Sequence, residues 1–239
     1  MNMIQLSFKK TLSIPLAFAI TLMAGSLALA QLPPEERRIP GPEEEKGPLS
    51  FFITSVGVGD GGNLGGLAGA DAHCHALAEA VGAGDRTWRA YLSTQAFDGQ
   101  VAVNAIDRIG EGPWYNANGT RVAESLDAII YDNSGINYGT ALNERAEFIG
   151  SLSMGDENNQ KDIMTGSTKA GTAMDPSVDT SCSNWTSNDE GTAQSGHHDR
   201  LFWYIWGSSW NSAHASRGCS TEEIKGSGGD GLFYCFAAD

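Results

Sequence analysis

Apolar and polar positions along the chain fall into a few short clusters separated by long polar stretches. Ser50-Phe51-Phe52-Ile53-Thr54-Ser55-Val56 is apolar and β-prone and runs into glycines, which predicts a strand entering a loop. Ala70, Cys74, Leu77, Ala78 and Val81 then recur at helical spacing, with Gly82 placed to stop the turn, so a helix carries Cys74 into the core. From Thr87 to Thr94, Trp88, Ala90 and Leu92 alternate with Arg89, Tyr91 and Ser93, the period of a half-buried strand. Asn118-Gly119 at the centre of Trp114 to Ala123 is the strongest short-range hairpin cue. Leu201 to Trp206 is a continuous apolar run that reads as a buried strand, and Leu232 to Phe236 is a last strand carrying Cys235. Between about Asp132 and Ser181 the pattern orders no elements. One early helix, short strands and long irregular connections predict an α+β domain built on antiparallel hairpins.

The ends of this pattern bound the domain. Lys9 and Lys10, the apolar stretch from Leu12 to Met23 and the small residues Ala28-Leu29-Ala30 form an expected export signal over residues 1–30, with Gln31 as the mature start. Residues 31–49 combine proline and glutamate with almost nothing to bury, the composition of a disordered linker. A single domain is expected over 50–239. The product is expected to be secreted or periplasmic and not membrane-embedded, because the apolar run is short and no stop-transfer pattern follows. An oxidising compartment suits the four cysteines, Cys74, Cys182, Cys219 and Cys235, which allow three pairings. The formal net charge of −14, made more negative when Lys9 and Lys10 are removed, argues against nucleic acid and heparin-like polyanions as partners.

Gly69 to Thr94, GADAHCHALAEAVGAGDRTWRAYLST, resembles the helix and strand that open the endostatin-like domains of certain collagens, within the C-type lectin-like fold. CSNWTS from Cys182, SWNSAHASRGC up to Cys219 and GLFYCF around Cys235 resemble the segments around that fold's later cysteines. The resemblance implies nested bridges, Cys74 to Cys235 and Cys182 to Cys219. It does not carry over endostatin's ligands. Pro48 to Ser55 has no histidine where that family binds zinc, and the acidic chain lacks its arginine patch. C-type lectins hold calcium and sugar hydroxyls with loop oxygens. The resemblance therefore points to calcium (Ca2+) on Asn184, Asp189 and Glu190, and to ligand binding by Trp185, Asn188, Trp210 and Asn211. Trp210-Asn211-Ser212 is similar to the Trp-Asn-Asp signature of sugar-binding members, with Ser212 where the acidic ligand stands, and the Glu-Pro-Asn triplet is missing.

Three further motifs weigh on the chemistry. Gly57-Val-Gly-Asp-Gly-Gly62 matches a dinucleotide fingerprint, but Gly65 and Gly66 keep the helix from opening directly on it, so it reads as a loop. His197, His198 and Asp199 read as a polar hydrogen-bonding loop and, second, as ligands for a transition metal; adjacent histidines on an extended chain point to opposite sides. His73 and His75 read as helix-surface residues, and Asp156, Glu157 and Asp162 as a solvated acidic loop. Neither a nucleophile elbow nor a C-x-x-C motif is present. The expected function is a non-enzymatic recognition module for glycan or another cell-surface ligand. The alternatives are a protein-adhesion domain of the same fold, or a metal-dependent enzyme using the His197-His198-Asp199 loop.

Overall fold

The computed structural model describes residues 46–97, 99–130, 134–200 and 209–239. The expected signal at 1–30, the linker up to residue 45 and the apolar run 201–206 lie outside the described residues. Strand β1 (Phe51–Ile53), helix α1 (Gly66–Ala80) and strand β2 (Trp88–Ala90) come first. A hairpin of β3 (Trp114–Tyr115) and β4 (Arg121–Ala123) leads to the short helix α2 (Leu126–Ile130). Strands β5 (Asp162–Met164), β6 (Gln194–His197) and β7 (His214–Ala215) follow, then helix α3 (Thr221–Ser227) and strand β8 (Gly229–Ala237). The described residues from 46 to 239 belong to one mixed α+β unit.

The sheet is organised around β8, its longest strand. The order is β1-β8-β5-β6-β7, with β2 also paired to β8. Phe51, Phe52 and Ile53 face Phe236, Cys235 and Tyr234 antiparallel, and on the other edge Trp88, Arg89 and Ala90 face Ala237, Phe236 and Cys235. The successive side chains of β8 divide between two cores, as a pleated strand requires. Leu232, Tyr234 and Phe236 join Phe51, Tyr91, Trp114 and Trp210, while Phe233, Cys235 and Ala237 join Phe52, Cys74, Trp88 and Trp185. Burial on both faces explains why the last strand reads as a continuous apolar run.

Helix α1 covers the second of these faces. Its buried residues are Ala70, Cys74 and Ala78, one residue per turn and all small, so the helix backbone lies close to the sheet. Cys74 is bridged to Cys235, and Cys182 to Cys219, the nested pairing that the resemblance implies. Asp71 fixes the rotation of the helix: its carboxylate accepts both oxygens' worth of hydrogen bonds from Arg108 Nη2 at 2.8 Å, and one from the Ala90 N–H at 2.9 Å. Helix α3 begins with a capping box between Ser220 and Glu223.

Several expectations are met at their centres and miss at their edges. The helix runs from Gly66 to Ala80 and is followed by Gly82 at φ 81°, and β3 and β4 pair across Asn118-Gly119. The Thr87–Thr94 strand is shorter than its alternation suggests, and its outer face is not solvated. Tyr91 and Ser93 are buried, because a second layer carrying Trp114 and Trp210 covers that side. The pairing is not wholly antiparallel either: β5 runs parallel to β8, since a long crossover rather than a hairpin joins them. The acidic loop is not solvated throughout. Asp162 is the first residue of β5 and is buried, and Asp156 accepts hydrogen bonds from Tyr138 Oη and the Ser151 N–H. Among the described residues, no helix is long and apolar enough to cross a membrane.

The glycine-rich loop between β1 and α1 is a packing device. The Gly62 N–H donates to the Cys219 carbonyl at 2.8 Å, and a Cβ at Gly62 would lie 2.4 Å from Cys182 Sγ. The glycine therefore admits the second disulfide rather than a pyrophosphate.

The bridges close loops of different length, separated by 161 and 37 residues, so in the loop-entropy model they contribute roughly 5 and roughly 4 kcal/mol. Urea denaturation of the Cys74→Ala/Cys235→Ala and Cys182→Ala/Cys219→Ala chains should show both destabilised, the first more than the second. The reverse order would contradict this account.

Candidate functional site

The most unusual backbone in the domain follows Ser181. Cys182, Ser183, Asn184 and Trp185 have φ of 48°, 52°, 58° and 67°, four consecutive non-glycine residues in the left-handed region. Each such residue costs roughly 1–2 kcal/mol, so a complete left-handed turn persists only where its surroundings hold it. Here the fastening is dense. Cys182 is tied to Cys219 by the disulfide. The Asn184 side chain grips the main chain of Gln95, accepting from its N–H at 2.7 Å and donating to its carbonyl at 3.0 Å. Asp179 Oδ2 accepts from the Ser183 N–H at 2.8 Å, and the Trp185 indole donates to the Ser93 carbonyl at 2.8 Å. Gln95 is itself locked: its amide oxygen accepts from the Thr180 N–H, and its amide nitrogen donates to the carbonyls of Asp175 and Val178.

This turn forms one wall of a hollow of about 440 Å³, a volume that suits a small ligand. Ser183 and Thr186 bring hydroxyls to its lining, while both ends of the Asn184 amide are engaged with Gln95. Thr94, Phe97, Gln100, Val101 and Val103 also line the hollow, brought together by the pairings Thr94↔Val103 and Phe97↔Gln100. Phe97 and Val101 stand out from it, 66% and 84% exposed, and Gln100 lies between them. A flat apolar ring beside convergent amide and hydroxyl groups can stack on one face of a ring-shaped polar ligand and hydrogen-bond to its edge. A second hollow, of about 620 Å³, opens beside Pro48, Arg86 and Asp239 and carries no comparable cluster of strained backbone.

The expected ligand contacts are distributed differently. Trp185 and Trp210 are 0% and 1% exposed, so neither offers a face to a ligand. Each indole N–H has a buried partner, the Ser93 carbonyl for Trp185 and the Ile129 carbonyl for Trp210, which lets both rings serve as core. Asn211 is also internal. Its amide nitrogen donates to Tyr91 Oη and to the Thr168 and Lys169 carbonyls, and its oxygen accepts from Ser209. Asn188, Asp189 and Glu190 are exposed, with Asn188 Nδ2 donating to Asp60 Oδ1. The calcium cage expected here is not assembled, because the Asn184 oxygen is taken by Gln95 and Ser181 and the Asn211 oxygen by Ser209.

The His197-His198-Asp199 group separates. His198 is buried and stacks 6.3 Å from Tyr138, and Asp199 turns inward to accept from the Ser151 and Ser153 hydroxyls, both at 2.5 Å. His197 faces the other way, as alternation on β6 dictates. There it meets two residues that sequence reasoning does not group with it. His197 Nε2 lies 3.1 Å from Asp162 Oδ1, and His214 Nε2 lies 3.3 Å from Asp162 Oδ2. Sheet register makes this cluster: Asp162 pairs with His197 across β5 and β6, and His214 pairs with Ser195, which shares a face with His197. Burial pushes the Asp162 carboxyl up, but the hydrogen bonds of His197 and Lys161 and the nearby charges of Lys161 and His214 outweigh it and hold it below its ordinary value. His73 and His75 stay on the helix surface, His73 within 2.9 Å of the Val56 carbonyl.

Burial lowers the His198 pKa from 6.5 to about 4, against the neighbouring Asp199 carboxylate, which raises it. A histidine depressed in the folded state binds its proton more readily when unfolded. Stability is therefore full above about pH 6.5, falls as pH drops through that window and levels off below about 4, a loss on the order of 3 kcal/mol. Denaturation in chelator-containing buffer from pH 8 to pH 4 should show this decline, and the His198→Phe chain should show a flatter profile. An equal decline in both chains would reject the assignment.

Comparison with known proteins brings no relative to this site: no protein-family model matches the chain, and no curated protein matches it.

Proposed function

We propose that this protein is an extracytoplasmic recognition module of the C-type lectin-like, endostatin-like kind, which binds carbohydrate without catalysing a reaction. Supporting the fold reading are the pairing of the first and last strands and a bridge from the first helix to the last strand. A second bridge fastens the loop region, as in the family that the sequence resembles. The observation that carries the functional reading is the left-handed turn at Cys182–Trp185 against the hollow beneath Phe97. Backbone strain of this kind is stored where a surface must be pre-shaped. Pre-shaped polar groups and an exposed ring lining one hollow are what a sugar needs, because its hydroxyls require fixed partners and its axial C–H groups require a flat apolar surface.

In this reading the ligand-facing residues are Phe97, Gln100, Ser183 and Thr186, while Asn184 clamps Gln95 and the buried tryptophans belong to the core. The exposure of Phe97, Val101 and Val178 favours protein adhesion as the second reading. Both readings leave the His197-His198-Asp199 enzyme without its constellation, since the three side chains diverge.

A glycan array probed with the oxidised chain from Gln31 onward tests the proposal. Binding should survive chelator. In the Phe97→Ala/Gln100→Ala chain, with thermal stability unchanged, binding should weaken about tenfold or more, the loss of roughly 1.4 kcal/mol expected for a stacking contact and its hydrogen bond. Retention of full affinity in that variant would sink the site. Binding to cells that glycosidase treatment leaves unchanged would move the assignment to protein adhesion.

A further inference from the structure

We propose that Asp162, His197 and His214 form a binding site for a single zinc ion or a neighbouring first-row transition ion, separate from the hollow beneath Phe97. Among the described residues this is the one group of three or more histidines, cysteines and carboxylates whose ligand atoms converge, all within 4.8 Å of one another. Its geometry is that of a ligand set. Two donors each about 2.0–2.1 Å from a tetrahedral zinc stand about 3.3–3.4 Å apart. The separations of 3.1 Å from His197 Nε2 to Oδ1 and 3.3 Å from His214 Nε2 to Oδ2 already approach that edge. The two rings stand at 73° to each other with centroids 5.0 Å apart, so both nitrogens address the carboxylate without stacking.

A second observation comes from the carboxylate itself. The Asp162 side chain is 3% exposed, yet its Oδ2 makes no hydrogen bond among the described residues, and His214 Nε2 approaches it at 3.3 Å as an ion-pair neighbour. A buried carboxylate oxygen left in this state carries a desolvation penalty that a cation relieves. Gly228 packs against this oxygen: a Cβ there would lie 3.0 Å from Oδ2 and 3.1 Å from Asn159 Nδ2. The Asn159 amide oxygen is likewise buried without a partner. His197 and His214 are 20% and 41% exposed at the side chain, so ions can enter from solvent and a coordination position stays open.

Lys161 holds the place of the ion. Its ammonium pairs with Asp162 Oδ1 and lies 3.2 Å from His197 Nε2. This charge neutralises one side of the carboxylate while leaving Oδ2 to His214. The lysine side chain is 23% exposed and can swing into water, so metal and ammonium compete for the same corner.

The competition gives the test its direction. Tag-free, oxidised chain stripped of metal should bind one Zn2+ by calorimetry, and one Co2+ with visible ligand-field absorption. His197→Ala and His214→Ala should each weaken binding at least about tenfold, while Lys161→Met should tighten it several-fold. Both histidines are partly exposed, so these variants keep the fold, which thermal melts verify; His197→Gln or His214→Gln replaces the alanine variant at that position if it does not. The absence of stoichiometric binding, binding unaffected by loss of His214, or weaker binding in Lys161→Met would each overturn the site. Binding abolished by His75→Ala and kept in His214→Ala would place the ion on the surface of α1 instead.

Discussion

One strand holds this domain together. β8 receives β1 and β2 on opposite edges along its second half and β5 along its first, and both of its faces are covered. Leu232, Tyr234 and Phe236 organise one core while Phe233, Cys235 and Ala237 organise the other, so each residue of β8 belongs to the sheet and to a packed layer at once. The Cys74–Cys235 bridge sits in the middle of this arrangement and pins the main helix to the strand that everything else pairs with. Losing β8 would therefore remove both cores together. Of the long stretch from 134 to 181, the part that enters the sheet is the short strand β5, paired to β8 on one side and β6 on the other.

Against that rigid centre, the left-handed turn and the histidine cluster occupy the margins of the sheet, and they are built by different physics. The turn is held in an unfavourable backbone conformation by covalent and hydrogen-bonded clamps from Cys219, Gln95, Asp179 and Ser93. The cluster needs no strain. It follows from the register of three neighbouring strands, each short and each contributing one side chain to the same face. The two places are chemically independent, one suited to neutral polar groups and the other to a cation.

What the sequence makes legible is local. Helix α1 follows from the spacing of Ala70, Cys74 and Ala78, and the β3–β4 hairpin from Asn118-Gly119, because both signals lie within a few residues of the structure that they specify. The fate of Trp185 and Trp210 is not local. Whether an indole faces solvent depends on a buried carbonyl for its N–H, and those carbonyls belong to Ser93 and Ile129, some ninety and eighty residues away. The Asp162-His197-His214 cluster is hidden for the same reason. Only strand register brings the three together, and β5 lies in the stretch where the pattern orders nothing. His198 and Asp199, by contrast, directly follow His197 in sequence, but β6 ends at His197 and both residues lie in the turn that carries them elsewhere. The glycine motif before α1 shows the reverse error, a literal match whose spacing serves a disulfide.

The order of the strands along the chain gives β8 a further meaning. It is the partner of β1, β2 and β5, yet it is synthesised after all of them. Until residues 229–237 are available, β1 and β2 have no strand to lie against, Cys74 has no cysteine at its side, and neither core can close. The sheet therefore closes late, once β8 is there to pair. A fold whose keystone strand arrives last postpones both cores and the Cys74–Cys235 bridge until residues 229–237 have been made.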